Sequence, residues 1–300
     1  MKKQNAEIPL KEIIKVFEGI EAGKILAVAK NIQAKLITDE NLILKGNKDE
    51  YKLVTQADIE IQKILLNYFD NSSLKGTYEV IAEEKILNKN VSKNVSWKLL
   101  IDPLDGTSSF KDQKNTWGVM VGACDLSGVI RYSYNIISSG EIYKTEGTKK
   151  LKLKSFEQLI KTKKKILIDV YDYDSGASTK FDPVFEKKFK INSNQYGKTS
   201  YPAAIWTGWQ LFNQKLNGLL WFPSNQGKKW YPDYDLIFLS ALQKRGYEIL
   251  IGKIENNNAL ITVAPTKKDV EKLYQIGTNL IPKQLKTKII KTTDLLIINN

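Results

Sequence analysis

The chain has 300 residues, of which 42% are hydrophobic and 26% charged, and its formal net charge is +13. This length can bury a large core in one or two domains, and the composition is typical of a globular protein. The sequence contains no histidine. That absence excludes hydrolases with a Ser-His-Asp or Cys-His centre, phosphatases that use a phosphohistidine, and zinc sites built on imidazole.

The positive charge comes almost entirely from lysine, because Arg131 and Arg245 are the two arginines. Arginine dominates base readout, so we interpret the lysines as solvated surface that attracts small anions, and we expect no nucleic-acid partner. A single cysteine, Cys124, is typical of a reducing compartment. No run of about eighteen apolar residues occurs, and the N-terminus lacks the apolar core of a signal peptide. We therefore expect a cytoplasmic protein that does not cross a membrane.

The first half of the chain predicts helices followed by strands, from apolar spacing and turn residues. In chain order these are a helix pair or one long helix over 8–36, with Gly23 as the candidate break, a polar loop or short hairpin over 38–52, a helix over 53–70, a short strand over 77–87, a buried strand at Leu99–Ile101, and an antiparallel meander over 116–147. Thr55 is the predicted N-cap of the helix over 53–70, with Asp58 in its first turn. The strand over 77–87 carries the acidic pair Glu83-Glu84 after its apolar residues.

The lysine-rich segment 148–165 is the best candidate for a domain boundary. We therefore predict an N-terminal α+β subdomain over 1–150 and a C-terminal α/β subdomain over 151–300. The second half predicts a strand at Ile166–Tyr171, a helix near 183–190, a helix after Pro202, a strand from Gly218, a helix over Leu236–Arg245 closed by Gly246, a strand over 247–251 and a helix over 266–280.

The residues that follow Leu99–Ile101 are the candidate residues for binding and catalysis. The strand runs into Asp102, and Pro103 interrupts its ladder because proline has no N–H to donate. Asp105 and Gly106 then turn the chain, and Thr107, Ser108 and Ser109 are candidate N-caps of a following helix. Paired carboxylates bind hard divalent cations, and helix N-termini favour phosphate. This combination indicates metal-assisted phosphate chemistry.

Two other phosphatase patterns do not fit the chain. A cysteine-based phosphatase needs Cys-x5-Arg, whereas six residues separate Cys124 from Arg131. A phospho-aspartate phosphatase needs Asp-x-Asp, whereas Asp102 and Asp105 are three residues apart. The spacing favours an attacking water held by metal ions rather than a covalent phospho-aspartate.

Four segments resemble signatures of the inositol monophosphatase family, in the family's order, over about residues 10–255. They are Trp97–Phe110 (Trp-x-x-x-Ile-Asp-Pro-Leu-Asp-Gly-Thr-x-x-Phe), Leu53–Asp58 for Val-Thr-x-x-Asp, Ile81–Glu84 for Gly-Glu-Glu with alanine in place of glycine, and Trp230–Gly246 for a Trp-Asp segment that opens a helix ending in glycine. The superfamily also contains bisphosphate nucleotidases and fructose-bisphosphatases. One such match is suggestive, whereas four in order make chance agreement improbable.

The resemblance implies an α/β fold, the layered α/β/α/β/α sandwich of the inositol monophosphatase and fructose-bisphosphatase type. It also implies Mg²⁺-dependent hydrolysis of a small phosphorylated metabolite, with two or three ions per site and Mn²⁺ as an alternative. The implied metal ligands are the side chains of Glu83, Asp102, Asp105 and Asp235 and the backbone carbonyl of Leu104. Inhibition by lithium and assembly as a homodimer also follow from the resemblance, although the residue pattern leaves the oligomeric state open.

The resemblance further assigns catalytic and substrate-binding roles. Thr107 paired with Asp58 would orient the attacking water, with Glu83 as the third catalytic residue. The N–H groups of Gly106 and Thr107 would hold phosphate oxygens, with Ser108 beside them. These roles agree with elementary chemistry, because two cations lower the pKa of bound water and neutralise developing charge without any histidine.

Two departures from the family pattern leave alternatives open. The second signature reads Trp230-Tyr-Pro-Asp233-Tyr-Asp235, so either aspartate could be the ligand, and we favour Asp235 because it leads directly into the apolar helix. An inositol phosphatase carries a glutamate near Trp221, where this chain has Trp-Phe-Pro. The tryptophans of this half are either core or a surface for a nucleobase, which keeps a 3′(2′),5′-bisphosphate nucleotidase as an alternative. A member that binds a phospho-ligand or nucleic acid without catalysis is an alternative of another class.

Overall fold

A computed structural model describes residues 8–35, 42–45, 52–84, 95–162, 166–172, 189–195, 203–222, 233–254, 258–281 and 290–292. Over these ranges the chain forms eight α-helices, one 3₁₀ turn and three sheets. None of the helices described is long and apolar enough to cross a bilayer.

The helices and strands alternate along the chain in blocks. The helices are α1 (Leu10–Glu18), α2 (Ala22–Lys35), α3 (Gln56–Asp70), α4 (Thr107–Lys111), α5 (Phe156–Lys161), α6 (Ala204–Phe212), α7 (Leu239–Arg245) and α8 (Lys267–Leu280), with a 3₁₀ turn at Asp233–Leu236. The strands are β1 (Leu42–Lys45), β2 (Lys52–Thr55), β3 (Tyr78–Ala82), β4 (Trp97–Asp105), β5 (Gly118–Asp125), β6 (Ile130–Ile137), β7 (Ile142–Lys144), β8 (Ile166–Asp172), β9 (Phe189–Gln195), β10 (Gly218–Trp221), β11 (Glu248–Ile254), β12 (Asn258–Ala264) and β13 (Ile290–Thr292).

The first helix pair breaks earlier than predicted. The chain leaves α1 at Gly19 and starts α2 at Ala22, so a helix pair is confirmed and its break lies just before Gly23. The Tyr68 hydroxyl of α3 donates to the Val16 carbonyl at 2.6 Å, next to this break. A Cβ at Gly19 would lie 2.5 Å from that hydroxyl, so a larger residue there would require the Tyr68 side chain to shift.

A five-stranded sheet forms the N-terminal half, in the order β3-β4-β5-β6-β7. Strands β3 and β4 are parallel, and β4 to β7 form the predicted antiparallel meander. Strand β4 continues through Pro103 to Asp105, and its pairing with β5 shifts register between Asp102 and Asp105. A proline that cannot donate to the ladder accounts for this irregularity.

A six-stranded sheet forms the C-terminal half, in the order β13-β11-β12-β10-β8-β9. The pairs β8–β9 and β8–β10 are parallel, and the remaining pairs are antiparallel. Strand β9 covers Phe189 and Lys190, so the helix predicted near 183–190 is wrong at those two residues, and the rest of that prediction lies outside the described residues. The Gly46-Asn47 turn of the predicted hairpin also lies outside them, although β1 and β2 do pair antiparallel.

Three apolar clusters order the helices and the two large sheets into five layers. In β4, Leu99 and Ile101 pack against α1, α2 and α3, whereas Leu100 faces α6 and α7 on the opposite side. In β11, Ile251 faces that same middle helical layer, and Leu250 packs against α5 and α8. Successive strand residues point to opposite faces, so each sheet buries both sides. The arrangement is α/β/α/β/α, as expected from the resemblance.

Two helix starts differ in detail from the predictions. Helix α4 follows Gly106, which is the N-cap residue at φ +93°, so the predicted caps at Thr107–Ser109 lie inside the helix. The helix predicted from Leu236 is instead a 3₁₀ turn followed by α7, which ends at Gly246 with φ +113° as predicted. Both glycines hold a left-handed conformation that other residues rarely adopt.

Candidate active site

The end of β4 places a buried acid at the centre of the site. The Asp102 side chain is 2% exposed, and the Leu104 N–H donates to its Oδ1 at 3.2 Å. The ladder with β5 is irregular between Asp102, which pairs with Met120, and Asp105, which pairs with Gly118, so β4 has one extra residue there. The irregularity therefore allows Asp105 to contribute to the same site.

The parallel neighbour of β4 brings Glu83 beside Asp102. Strand β3 pairs Ala82 with Ile101, and the Glu83 N–H donates to the Ile101 carbonyl at 3.1 Å. Parallel strands end at the same sheet edge, so the two acids that follow these strands meet. The carboxyl groups of Glu83 and Asp102 are hydrogen-bonded to each other.

A buried glutamine of α3 holds this strand end in place. The Gln62 Nε2 donates to the Glu84 carbonyl at 2.7 Å, and the Glu84 N–H donates to Gln62 Oε1 at 3.1 Å. Gln62 is fully buried, and Glu84 is 3% exposed. This double hydrogen bond fixes the backbone next to Glu83, and therefore the direction in which Glu83 leaves β3.

The 3₁₀ turn brings a fourth acid to the site, since it packs against β3, β4 and β5. Asp235 lies near enough to Asp102 to raise its pKa. Tyr234 is 8% exposed, and its pKa is raised by burial and then by the charges of Glu83 and Asp235. The side chain of Asp233 lies outside the described residues, so the choice of Asp235 over Asp233 stays a prediction.

Negative charges surround Asp102. Burial raises the pKa of Asp102 well above its usual value, and the charges of Glu83, Asp105 and Asp235 raise it further. Within the described ranges, no group of three or more acid or thiol side chains has the arrangement needed to hold a metal ion. The arrangement is a concentrated acid cluster, a type of site that attracts hard cations.

Asp105 is held by the start of α6. Burial raises the pKa of Asp105 to about 7, and the hydrogen bond from the Ile205 N–H opposes that rise. Ile205 is the second residue of α6, whose N-cap Ala203 has no side-chain acceptor. The Asp105 carboxylate therefore accepts from an N–H that has no partner within the helix. The positive end of the α6 dipole also favours the charged carboxylate.

The turn into α4 is closely packed. At Gly106 an added Cβ would lie 2.7 Å from Ala203 Cβ and 3.1 Å from the Thr116 carbonyl oxygen. The Gly106 N–H donates to the Asp105 carboxylate. The N–H groups of Thr107 and Ser108 begin α4, where the first-turn donors have no partner within the helix. The phosphate-binding roles of Gly106, Thr107 and Ser108 stay predictions.

Asp58 and Thr107 are the two residues predicted to orient the attacking water. Asp58 is 1% exposed in the first turn of α3. The Thr107 hydroxyl donates to the Leu104 carbonyl at 3.1 Å, which links a predicted catalytic residue to a predicted metal ligand. Their proposed pairing stays a prediction, as do the roles of Asp58, Thr107 and Glu83 in catalysis.

Several residues of the site were not found from the sequence. Gln62 lies four residues after Asp58, on the same face of α3, and this spacing is a signal that it could contribute to the site. Ile205 contributes only a backbone N–H, and Tyr143 holds the Ile205 carbonyl with its hydroxyl at 2.8 Å. A backbone donor leaves no mark in the sequence, because every residue except proline carries one.

Comparison with known proteins identifies the family of this chain. The family model described as the inositol monophosphatase family matches residues 10–207, about two thirds of the chain. The chain belongs to the inositol monophosphatase family. No curated protein sequence matches it.

Solved structures of this family share the fold across most of the chain. The extragenic suppressor protein suhB from Bartonella henselae is 14% identical, with a TM-score of 0.60, and the match covers 89% of this chain and 97% of that chain. A staphylococcal inositol monophosphatase-1, solved as a lithium-soaked inhibitory complex, is 12% identical, with a TM-score of 0.63, covering 90% and 96%. An IMPase/NADP phosphatase complexed with Mg²⁺ and phosphate is 13% identical, with a TM-score of 0.58, covering 89% and 95%.

Family membership confirms the enzyme class expected from the sequence, a metal-dependent phosphomonoesterase. It also confirms the layered fold. The family match ends at residue 207, before the 3₁₀ turn that carries Asp235. At identities of 12–14% the solved structures extend the fold, and not the substrate, beyond that point.

Proposed function

We propose that this chain hydrolyses a small phosphorylated metabolite with Mg²⁺ bound at the acid cluster of Glu83, Asp102, Asp105 and Asp235. The observation that supports this most strongly is the convergence of the end of β3, which leads into Glu83, and of the 3₁₀ turn, which carries Asp235, on the end of β4, where Asp102 is buried. Acids brought together around a buried carboxylate are costly when no cation is bound. A divalent cation removes that cost, and oxygen ligands are the donors that Mg²⁺ prefers.

Each part of the site has a task in this reaction. Bound Mg²⁺ would supply an activated water and would neutralise charge on the phosphoryl group. The acids, with the Leu104 carbonyl, would hold the ions, and Asp58 and Thr107 would orient the attacking water. The N–H groups at the start of α4 would bind phosphate oxygens, since the first-turn donors of a helix favour an anion.

The metal number and its identity are part of the proposal. An IMPase/NADP phosphatase of the same fold was solved with Mg²⁺ and phosphate, and also with NADP and Ca²⁺. Two or three ions per site, with Mn²⁺ as a substitute for Mg²⁺, fit the number of acids here. Inhibition by lithium is proposed from the staphylococcal complex.

Phosphate release from a substrate panel in the presence of Mg²⁺ tests the proposal. The panel contains inositol phosphates, adenosine 3′,5′-bisphosphate, NADP, histidinol phosphate and sugar phosphates. We expect Asp102→Asn to abolish turnover with the fold retained. Asp112→Asn is the matched control, since Asp112 is an exposed acid near the end of α4, paired with Lys114. Turnover by Asp102→Asn that equals the control would refute the role of the acid cluster.

A 3′(2′),5′-bisphosphate nucleotidase is the second candidate, supported by the aromatic residues of α6. The rings of Trp206 and Trp209 stack at 4.8 Å, and Lys215 Nζ lies 3.9 Å from the Trp209 centroid. Trp206 is half-buried and directly follows Ile205, which contacts Asp105. A planar base can stack on such a ring. A higher kcat/KM for adenosine 3′,5′-bisphosphate than for inositol phosphate would favour this candidate, and the reverse would reject it.

A cytoplasmic location is supported by Cys124, the single cysteine of the sequence, which is buried. A division at residue 150 is supported by the segment between β7 and β8, which separates the two large sheets along the chain. A homodimer stays a prediction that sedimentation can test.

A further inference from the structure

A buried acid lies outside the proposed active site, on β8. Asp169 is 0% exposed, in the interior of the six-stranded sheet. Its neighbours Ile168 and Val170 face the outer layer of α5 and α8. Because side chains alternate along a strand, Asp169 points into the middle helical layer, as does its register partner Leu219 on β10.

Asp169 contacts α6 through the side chain of Thr207. The Thr207 hydroxyl donates to Asp169 Oδ2, and Thr207 is also fully buried. Burial raises the pKa of Asp169 to about 7, while the hydrogen bonds from Thr207 and from the Val170 backbone favour the charged form. A buried carboxylate is costly compared with an apolar residue of similar size. The steps proposed for phosphate hydrolysis do not use it.

The first turn of α6 connects this pair to the active site. Thr207 lies two residues after Ile205, whose N–H donates to the Asp105 carboxylate. The Ile205 carbonyl accepts from the Tyr143 hydroxyl of β7 at 2.8 Å. The same helical turn is therefore bonded to β4, to β7 and, through Thr207, to β8. Hydrogen bonds to both large sheets therefore set the rotation and the axial position of this turn of α6.

The position of this turn determines the environment of Asp105. The Ile205 N–H is a backbone donor to Asp105 Oδ2, and its direction is set by the orientation of the first turn of α6. A hydrogen bond weakens steeply when its angle or length departs from the optimum. A small shift of α6 would therefore leave Asp105 without the donor that stabilises its charge and fixes its direction.

We propose that Asp169, acting through Thr207, is a positioning residue that holds the Ile205 N–H on Asp105. This inference rests on the proposed function, in which Asp105 is a metal ligand. Residues that orient a ligand in this way typically affect metal affinity or activity by about 10- to 100-fold when they are removed.

Thr207→Val tests the proposal, because it removes the hydroxyl and keeps the shape. Thr262→Val is the matched control: Thr262 is also fully buried in the six-stranded sheet, and its hydroxyl donates to the Leu250 carbonyl at 3.2 Å, away from α6. We expect Thr207→Val to lower kcat about tenfold with KM for the substrate unchanged, and to raise the half-saturating Mg²⁺ concentration about tenfold. Thr207→Ser, which keeps the hydroxyl, should remain near wild type.

Hydrogen exchange gives a readout that does not depend on turnover. In Thr207→Val the Ile205 amide should exchange about tenfold faster, in line with the expected loss of kcat. In Thr262→Val it should exchange at the wild-type rate. If Thr207→Val does not fold, Asp169→Asn replaces it, because a neutral acceptor forms a bond about half as strong in the same space. The expected acceleration of Ile205 exchange is then about threefold, and no acceleration overturns the proposal.

These experiments distinguish the positioning role of Asp169 and Thr207 from the proposed phosphatase function. Equal kcat, Mg²⁺ dependence and Ile205 exchange in Thr207→Val and Thr262→Val would overturn the positioning role. A wild-type chain that hydrolyses no phosphomonoester and binds no Mg²⁺ would instead refute the proposed function. In that case the exchange comparison still decides whether Asp169 and Thr207 hold the Ile205 N–H.

Discussion

Replacing Asp105 with asparagine should cost activity and yet stabilise the metal-free protein at neutral and alkaline pH. Burial raises the pKa of Asp105 to about 7 from its ordinary value of 3.8. The folded chain therefore keeps a proton on this group over a pH range in which the unfolded chain has already lost it. As a result, the free energy of unfolding of the metal-free wild type falls as pH rises from about 4 to 7 and is then constant.

The size of the effect follows from this shift. A rise of about three pKa units at 1.36 kcal/mol per unit corresponds to about 4 kcal/mol at pH 8. The Asp105 side chain is partly exposed, and solvent screening reduces the expected gain to about 2 kcal/mol. The amide oxygen introduced by Asp105→Asn would still accept from the Ile205 N–H, so the hydrogen bond is weakened rather than lost. Near pH 4.5 most of the wild-type Asp105 is already neutral, and the two proteins should be about equally stable.

Urea unfolding followed by tryptophan fluorescence, in the presence of a chelator, measures this difference at pH 4.5 and pH 8. Asp112→Asn, at an exposed acid, controls for the general loss of one negative charge. Addition of Mg²⁺ at pH 8 should reverse the order, because a ligand that binds only the folded wild type stabilises it by mass action. An Asp105→Asn protein that is no more stable than wild type at pH 8, or whose gain is the same at both pH values, would contradict the reasoning.

Three other changes test the local geometry. Gly106→Ala should lower the free energy of unfolding by at least about 1 kcal/mol more than Gly140→Ala, because both glycines have positive φ but only Gly106 has a neighbour, Ala203, within 2.7 Å. Gln62→Leu should cost about 1–3 kcal/mol in urea unfolding, since it leaves buried backbone groups unpaired, and should weaken Mg²⁺ binding in calorimetry. Trp206→Ala should raise KM for adenosine 3′,5′-bisphosphate several-fold and leave KM for inositol phosphate unchanged, if the nucleotidase candidate is correct.

Each of these changes has a result that would count against it. Equal losses at Gly106 and Gly140 would mean that the close contact at the α4 start does not exist. A Gln62→Leu protein with wild-type Mg²⁺ affinity would separate the end of β3 from the acid cluster. Equal changes in KM for both substrates would place Trp206 in the core rather than on the substrate.

The sequence pattern predicted the structure where one continuous segment determines it. Leu99–Ile101 is continuously apolar because β4 is buried on both faces, and that run predicted the buried strand. Pro103 was predicted to interrupt the ladder after Asp102, whereas β4 continues to Asp105 with a register shift between Asp102 and Asp105. The break between the first two helices begins at Gly19, four residues before Gly23, where the hydroxyl of Tyr68, 49 residues further along the chain, contacts the end of α1.

The sequence by itself determined the chemistry that is available to this protein. With no histidine, catalysis has to use carboxylates, hydroxyls, lysine, tyrosine or metal, and the acids at the ends of apolar runs favour carboxylates with metal. Only the tertiary structure decided that Glu83 and Asp235 lie near Asp102, that the Ile205 N–H meets Asp105, and that Asp169 bonds α6. The physical reason is that periodicity reports which face of an element is buried, whereas the pairing of remote strands and the direction of a backbone donor depend on how the layers pack.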